Sequence, residues 1–197
     1  VVVGVVAAVN HGKWVDSVLM TISVFGISAP AFWIAIILQI VICLKFNLLP
    51  LSGIDSFKSF ILPGIALGTR YAASIARITR TSMLDVLSQD YIRTAEAKGL
   101  KGWVVTIKHA LRNALIPIIT IAGSDLGNIL TGSVLVESVF SIPGIGKMLV
   151  DSINTRDLPI VQGGVMYIAV ICVIMYLVVD LLYTVVDPRI RLGKESS

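Results

Sequence analysis

Ser17–Leu44 reads SVLMTISVFGISAPAFWIAIILQIVICL, 28 consecutive positions without a charged side chain. About 20 apolar residues suffice to cross the hydrocarbon core of a bilayer. A second stretch, Leu158–Val179, is equally free of charge. The composition agrees: the 197 residues are 56% hydrophobic and only 14% charged, with a mean hydropathy of +0.90. Soluble domains carry about 25% charged residues. The fold class read from these features is all-α, a polytopic transmembrane helical bundle.

Further segments follow by working outward. Val1–Ala8 is apolar, with neither an initiator Met nor a basic n-region. It reads as the cytoplasmic end of a span whose beginning is missing, so the chain is expected to be an N-terminally truncated fragment. Asn10–Asp16 is a short polar loop. Pro30 lacks an N–H and predicts a kink within the first charge-free stretch. Lys45–Lys58 is a loop, and Pro63 suits the first turn of a new helix through Ile65, Ile75, Met83 and Leu87. Another span is expected over 113–136, a longer loop over 137–162 and a last span from Gly163 to Val186. The count is about four full spans plus the end of a preceding one, within one transmembrane domain, 1–197.

The basic residues set the orientation. Lys13, Arg77, Arg80, Arg93, Lys98, Lys101, Lys108, Arg112, Arg189, Arg191 and Lys194 fall on one side, and Lys45, Lys58, Lys147 and Arg156 on the other. The side richer in Lys and Arg is cytoplasmic, which places the C-terminus in the cytoplasm. The net charge of +4 therefore reports topology and not nucleic-acid binding. Cys43 and Cys172 lie inside apolar stretches and read as small lipid-compatible residues.

Residues 90–117 read DYIRTAEAKGLKGWVVTIKHALRNALIP. Thr94–Lys98 favours a helix, with Gly99 at a left-handed C-cap. A second helix starts after Gly102, with Trp103, Ile107, Ala110, Leu111, Ala114 and Leu115 on one face, opposite Lys101, Thr106, Lys108 and Arg112. Physics alone allows two readings of this stiff element: an interfacial loop held by anionic lipid, or a docking knob for a cytoplasmic partner.

The residues themselves resemble a known pattern, Tyr-x-Arg-Thr-Ala-x-Ala-Lys-Gly followed by His-Ala-Leu-Arg-Asn-Ala-Leu-x-Pro. Tyr91, Arg93, Thr94, Ala95, Ala97, Lys98 and Gly99 match its first part, and His109–Leu115 with Pro117 its second. Gly26–Trp33, Glu137–Gly146 and Asp187–Leu192 match further stretches in the same order. The chain thus resembles, along its whole length, the permease subunits of binding-protein-dependent ABC importers of the oligopeptide, dipeptide and nickel branch. The broader class has a Glu six residues before the loop Gly, where this chain has Arg93, a change that branch tolerates.

The resemblance implies a MetI-like permease fold in the plasma (inner) membrane of a prokaryote. It makes 90–117 the cytoplasmic coupling loop, with Tyr91, Arg93, Thr94, Ala95, Glu96, Ala97, Lys98, Gly99, His109 and Arg112 facing an ATPase subunit, and 137–162 an external loop. Implied partners are cytoplasmic ATPase subunits, a second homologous permease, an extracytoplasmic substrate-binding protein and membrane lipid. The implied cargo is an oligopeptide or dipeptide, with nickel or another metal chelate as the alternative. No catalytic residue, cofactor or metal site is expected in this chain. Pro143–Lys147 is superficially like a phosphate-binding loop, but Ser141 and Met148 replace its first Gly and its Ser/Thr. His11 and His109 are too far apart in sequence to suggest a metal site.

Arg70 and Asp125 are charges inside the predicted spans. At 1.5 Å per residue they fall about 10 Å from the outer end and about 18 Å from the inner end of a core about 30 Å thick. Two readings stand: the two pair or line a pathway for a peptide's termini, or Arg70 snorkels outward. The family usually has neutral residues at both positions, so a pathway role is read as a subfamily feature. Asp180 reads as a structural hydrogen-bonding residue, with a pathway role as the alternative. An ion-coupled secondary transporter would show repeated halves with discontinuous helices paired between them, and an intramembrane hydrolase HExxH or GxSxG. None of these is visible.

Overall fold

The computed structural model describes residues 1–130 and 133–186; their regular elements are helices, with no strand among the described residues. The order is α1 (Val2–Val9), α2 (Trp14–Ser28), α3 (Ala31–Leu38) widening into a π-helical stretch (Gln39–Lys45), a 3₁₀ turn (Phe57–Phe60), α4 (Ile61–Leu87) and α5 (Asp90–Ala97). Then come α6 (Gly102–Val104), a second π-helical stretch (Val105–Leu111), α7 (Arg112–Leu130), α8 (Val134–Val139), α9 (Ile145–Asn154) and α10 (Leu158–Val186).

Two helices are long and apolar enough to cross a membrane, Gly102–Leu126 and Leu158–Val179, or three if α2 and α3 with its π extension form one broken span. Only 6% of the Leu158–Val179 stretch is buried within the chain. Such a surface is stable only against hydrocarbon or another apolar partner. At 27 residues α4 has the length to cross, but Arg70, Arg77, Arg80 and Asp85 keep it out of the apolar class.

The structure corrects several boundaries. The interruption expected at Pro30 is a sharp break: α2 and α3 meet there with a bend of 101°. Pro30, extended at φ −62° and ψ 135°, is the N-cap of α3 and stops α2 from continuing. The span expected from Asn113 begins instead at Gly102, because the second helix of the basic loop runs into it without interruption. It ends by Leu130, short of the expected Val136. The loop expected over 137–162 holds α9 and the end of α8, and α10 starts at Leu158, not Gly163.

The chain forms two compact units. One comprises Val1–Phe25, Ala73–Ser124 and the chain from Leu177; the other comprises Gly26–Ala72 and Asp125–Tyr176. In the first, Ala8, Met83, Ile92, Ala95, Val105, Ala110, Ala114 and Ile118 make the core. There α1 lies so close to α4 that a Cβ at Gly4 would collide with the Ala76 carbonyl and the Thr79 side chain. In the second, Ala35, Cys43, Leu62, Ala66, Val136 and Phe140 form the core. The Gln39 amide donates there to the carbonyls of Leu51 at 2.8 Å and Val139 at 3.0 Å.

Candidate functional site

The basic segment folds as a helical corner. Gln89 is the extended N-cap of α5, and Asp90 places a negative charge in its first turn, where the helix dipole favours it. The helix ends in a Schellman motif: Gly99 N–H donates to Glu96 O at 2.8 Å and Leu100 N–H to Ala95 O at 3.4 Å. That closure needs a left-handed residue, and Gly99 supplies it at φ +76°. Lys101 is the extended N-cap from which α6 departs.

The corner is held from beneath by Ile92 and Ala95 of α5, which pack with Val105, Ala110, Ala114 and Ile118, with Met83 of α4 and with Ala8 of α1. Ala110 and Ala114 are buried, and Leu111 and Leu115 pack against the core, as predicted; the start of the predicted face differs. Trp103 is 69% exposed and Ile107 50%, while Val105 is buried. The π-helical stretch Val105–Leu111 explains the change. A wider turn brings residues five apart onto one face, so Val105 aligns with Ala110, and Trp103 and Ile107 rotate outward.

Of the ten predicted coupling residues, Ala95 is buried and His109 partly buried, while Tyr91, Arg93, Thr94, Glu96, Ala97, Lys98, Gly99 and Arg112 are exposed. Ala95 is a core residue under the corner. Asn113 was absent from that set, yet its amide donates to the Tyr91 hydroxyl and to His109 O, each at 2.9 Å. Its place in the HALRNAL stretch was the available signal. The exposed surface combines Arg93, Lys98, Lys101, Lys108 and Arg112 with Tyr91, Leu100, Trp103 and Ile107.

Arg70 and Asp125 do not meet. Arg70 is exposed on α4, and the ion pairs among the described residues all involve Asp16. Asp125 Oδ2 is buried, with no hydrogen-bond partner among the described residues. The side chain of Asp180 and the residues from Asp187 on lie outside the described ones. No group of three or more metal-ligating side chains exists among the described residues.

The Pro143–Lys147 stretch is the N-terminus of α9, capped from within the chain. Glu137 of α8 accepts the Lys147 N–H through Oε2 at 2.7 Å, and a Cβ at Gly144 would strike its carboxyl group. A carboxylate already fills the place where a phosphate-binding loop would hold its anion.

Helices built to face hydrocarbon, together with a basic corner, define a membrane-embedded component. Over residues 1–192 the chain matches the family described as "Binding-protein-dependent transport system inner membrane component", and it belongs to that family. It is 46% identical over 188 residues to the glutathione transport system permease protein GsiC of Escherichia coli (strain K12), covering 95% of this chain and 61% of that protein. The same figures hold for the protein of that name from Shigella flexneri serotype 5b (strain 8401). That of Salmonella choleraesuis (strain SC-B67) is 45% identical over 189 residues, covering 96% of this chain and 62% of the relative. The chain thus spans about three fifths of the length of the curated relatives it matches.

Proposed function

We propose that this chain is part of the permease subunit of an ATP-driven importer and that residues 90–117 are its coupling element. The observation that carries the reading is the α5–α6 corner. It is closed by a Schellman motif, shares one core with α1, α4 and α7, and turns outward a surface of basic and aromatic residues. A stiff corner continuous with an apolar helix is suited to pass a rigid-body push into the membrane. ATP hydrolysis then belongs to separate ATPase subunits seated against Tyr91, Arg93, Thr94, Glu96, Ala97, Lys98, Gly99, His109 and Arg112. A second homologous permease completes the pathway, and a binding protein delivers the cargo to the side bearing 137–162. The C-terminus is cytoplasmic.

The proposed cargo is a small peptide. Glutathione, named for the relatives, is the first to try, and a nickel or other metal chelate is the alternative. Arg70 and Asp125 are proposed to flank the route separately, not as an ion pair. Exposed Arg70 offers a cation to a peptide carboxylate, and Asp125 has an unsatisfied oxygen for an ammonium.

The test is co-expression of the full-length protein with its cognate ATPase subunits. Trp103→Ala with Arg93→Glu should abolish co-purification of the ATPase while the permease remains folded. Unchanged co-purification overturns the coupling role. For the pathway, Arg70→Asp and Asp125→Arg are each expected to impair uptake of labelled glutathione; if neither does, the pathway role fails.

A further inference from the structure

Asp16 and Arg80 are 64 positions apart in the chain and form a side-on fork. Arg80 Nε donates to Asp16 Oδ1 at 2.6 Å and Nη2 to Oδ2 at 2.7 Å. Oδ2 also accepts the Gly12 N–H at 3.1 Å, and His11 Nδ1 lies 3.2 Å from it and 3.0 Å from Arg80 Nη2. Asp16 is only 4% exposed. The carboxylate therefore binds together the α1–α2 turn, the first turn of α2 and the later part of α4.

Other contacts of this region are of a different kind. The Gly4 approach to the Ala76 carbonyl and Thr79 and the shared core of Ala8 with Met83 are van der Waals contacts in which α1 contributes small residues, and such contacts resist separation but scarcely resist sliding. A guanidinium–carboxylate fork is directional and fixes register. Its position gives that register a use. Arg80 stands three residues before Met83, about 4.5 Å along α4, and Met83 is part of the core beneath the α5–α6 corner. A displacement of the corner reaches Arg80 through one turn of helix, and the fork hands it to the start of α2.

We infer that Asp16 and Arg80 form the strut that makes the α1–α2 turn move as one body with the coupling corner. The inference rests on the coupling role proposed above. Both are positioning residues: neither lies on the exposed corner surface, and both act through α2 and α4.

The test uses the complete importer in lipid nanodiscs, with Cys43 and Cys172 replaced by alanine and spin labels at Lys13→Cys and Gln89→Cys, both exposed positions in this unit and outside the residues seated against the ATPase. The distance between the labels is measured before and after trapping with ATP and vanadate. The expected result is one narrow distribution that trapping leaves in place, a broadened one on trapping in Asp16→Asn and Arg80→Gln, and recovery in the swap Asp16→Arg with Arg80→Asp. If single variants fail to assemble, Asp16→Glu and the swap, which keep both charges, decide by the same distribution. Narrow distributions in both single variants overturn the inference, as does a shift on trapping in the unaltered chain. An unaltered chain that binds no ATPase overturns the coupling role and this inference with it. One that binds the ATPase while its labels separate overturns this inference alone.

Discussion

The side-chain amide of Asn113, at the head of α7, donates to the hydroxyl of Tyr91 on α5 at 2.9 Å. This bond crosses the corner on its exposed side, opposite the apolar contacts beneath. Neutral hydrogen bonds at exposed sites contribute about 0.5–1.5 kcal/mol. Tyr91→Phe and Asn113→Ala should each weaken ATPase binding by a few-fold. The double variant should cost no more than the larger single effect, read as a coupling energy in a binding-based double-mutant cycle. Fully additive losses would mean that the two residues act separately.

Gly99 has open space around the position of a Cβ, so its requirement is purely one of backbone conformation at φ +76°. A left-handed non-glycine residue costs about 1–2 kcal/mol. Gly99→Ala should therefore speed amide exchange at Gly99 and Leu100 and lower transport. Gly99→Asn, better suited to that conformation, should retain more of both. Equal behaviour of the two variants would exclude the conformational explanation.

Ile92 and Trp103 should separate stability from docking. Ile92 is 2% exposed within the corner's core, and truncation of such a residue to Ala costs about 2–5 kcal/mol. Ile92→Ala is expected to lower the midpoint of thermal aggregation in detergent. Trp103→Ala should leave that midpoint nearly unchanged and reduce ATPase co-purification.

Glu137 and Gly144 lock α8 to α9. Loss of a carboxylate cap costs about 0.5–2 kcal/mol, so Glu137→Ala should destabilise modestly. Gly144→Ala should do more harm, since its new methyl group meets the Glu137 carboxyl group. In the Glu137→Ala background the same Gly144→Ala change should become milder. Thermal unfolding of the four proteins checks the sign of that interaction.

Much was legible in order along the chain because its causes are local. Freedom from charge over Ser17–Leu44 and Leu158–Val179 marks surfaces that water would not tolerate, and the absence of an N–H at Pro30 marks a break. Gly99 after a helix-favouring run marks a left-handed cap, and the structure places it there. The bend of 101° at Pro30 and the helices within 137–162 were not legible. Pro and Gly signal an interruption of a helix without stating how far the next one turns.

The sequence by itself therefore determined the class of the molecule: apolar helices, a basic corner and the family motif. Tertiary structure alone decided which residues meet. The π-helical stretch buries Val105 and turns out Trp103 because the core offers small partners at Ala110 and Ala8, a fact of neighbours and not of periodicity. Asp16 and Arg80, counted along the chain as one polar loop residue and one topological charge, become a single fork. Their pairing depends on α1 and α4 lying close enough at Gly4 to bring positions 64 apart within 3 Å, and no local pattern records such an approach.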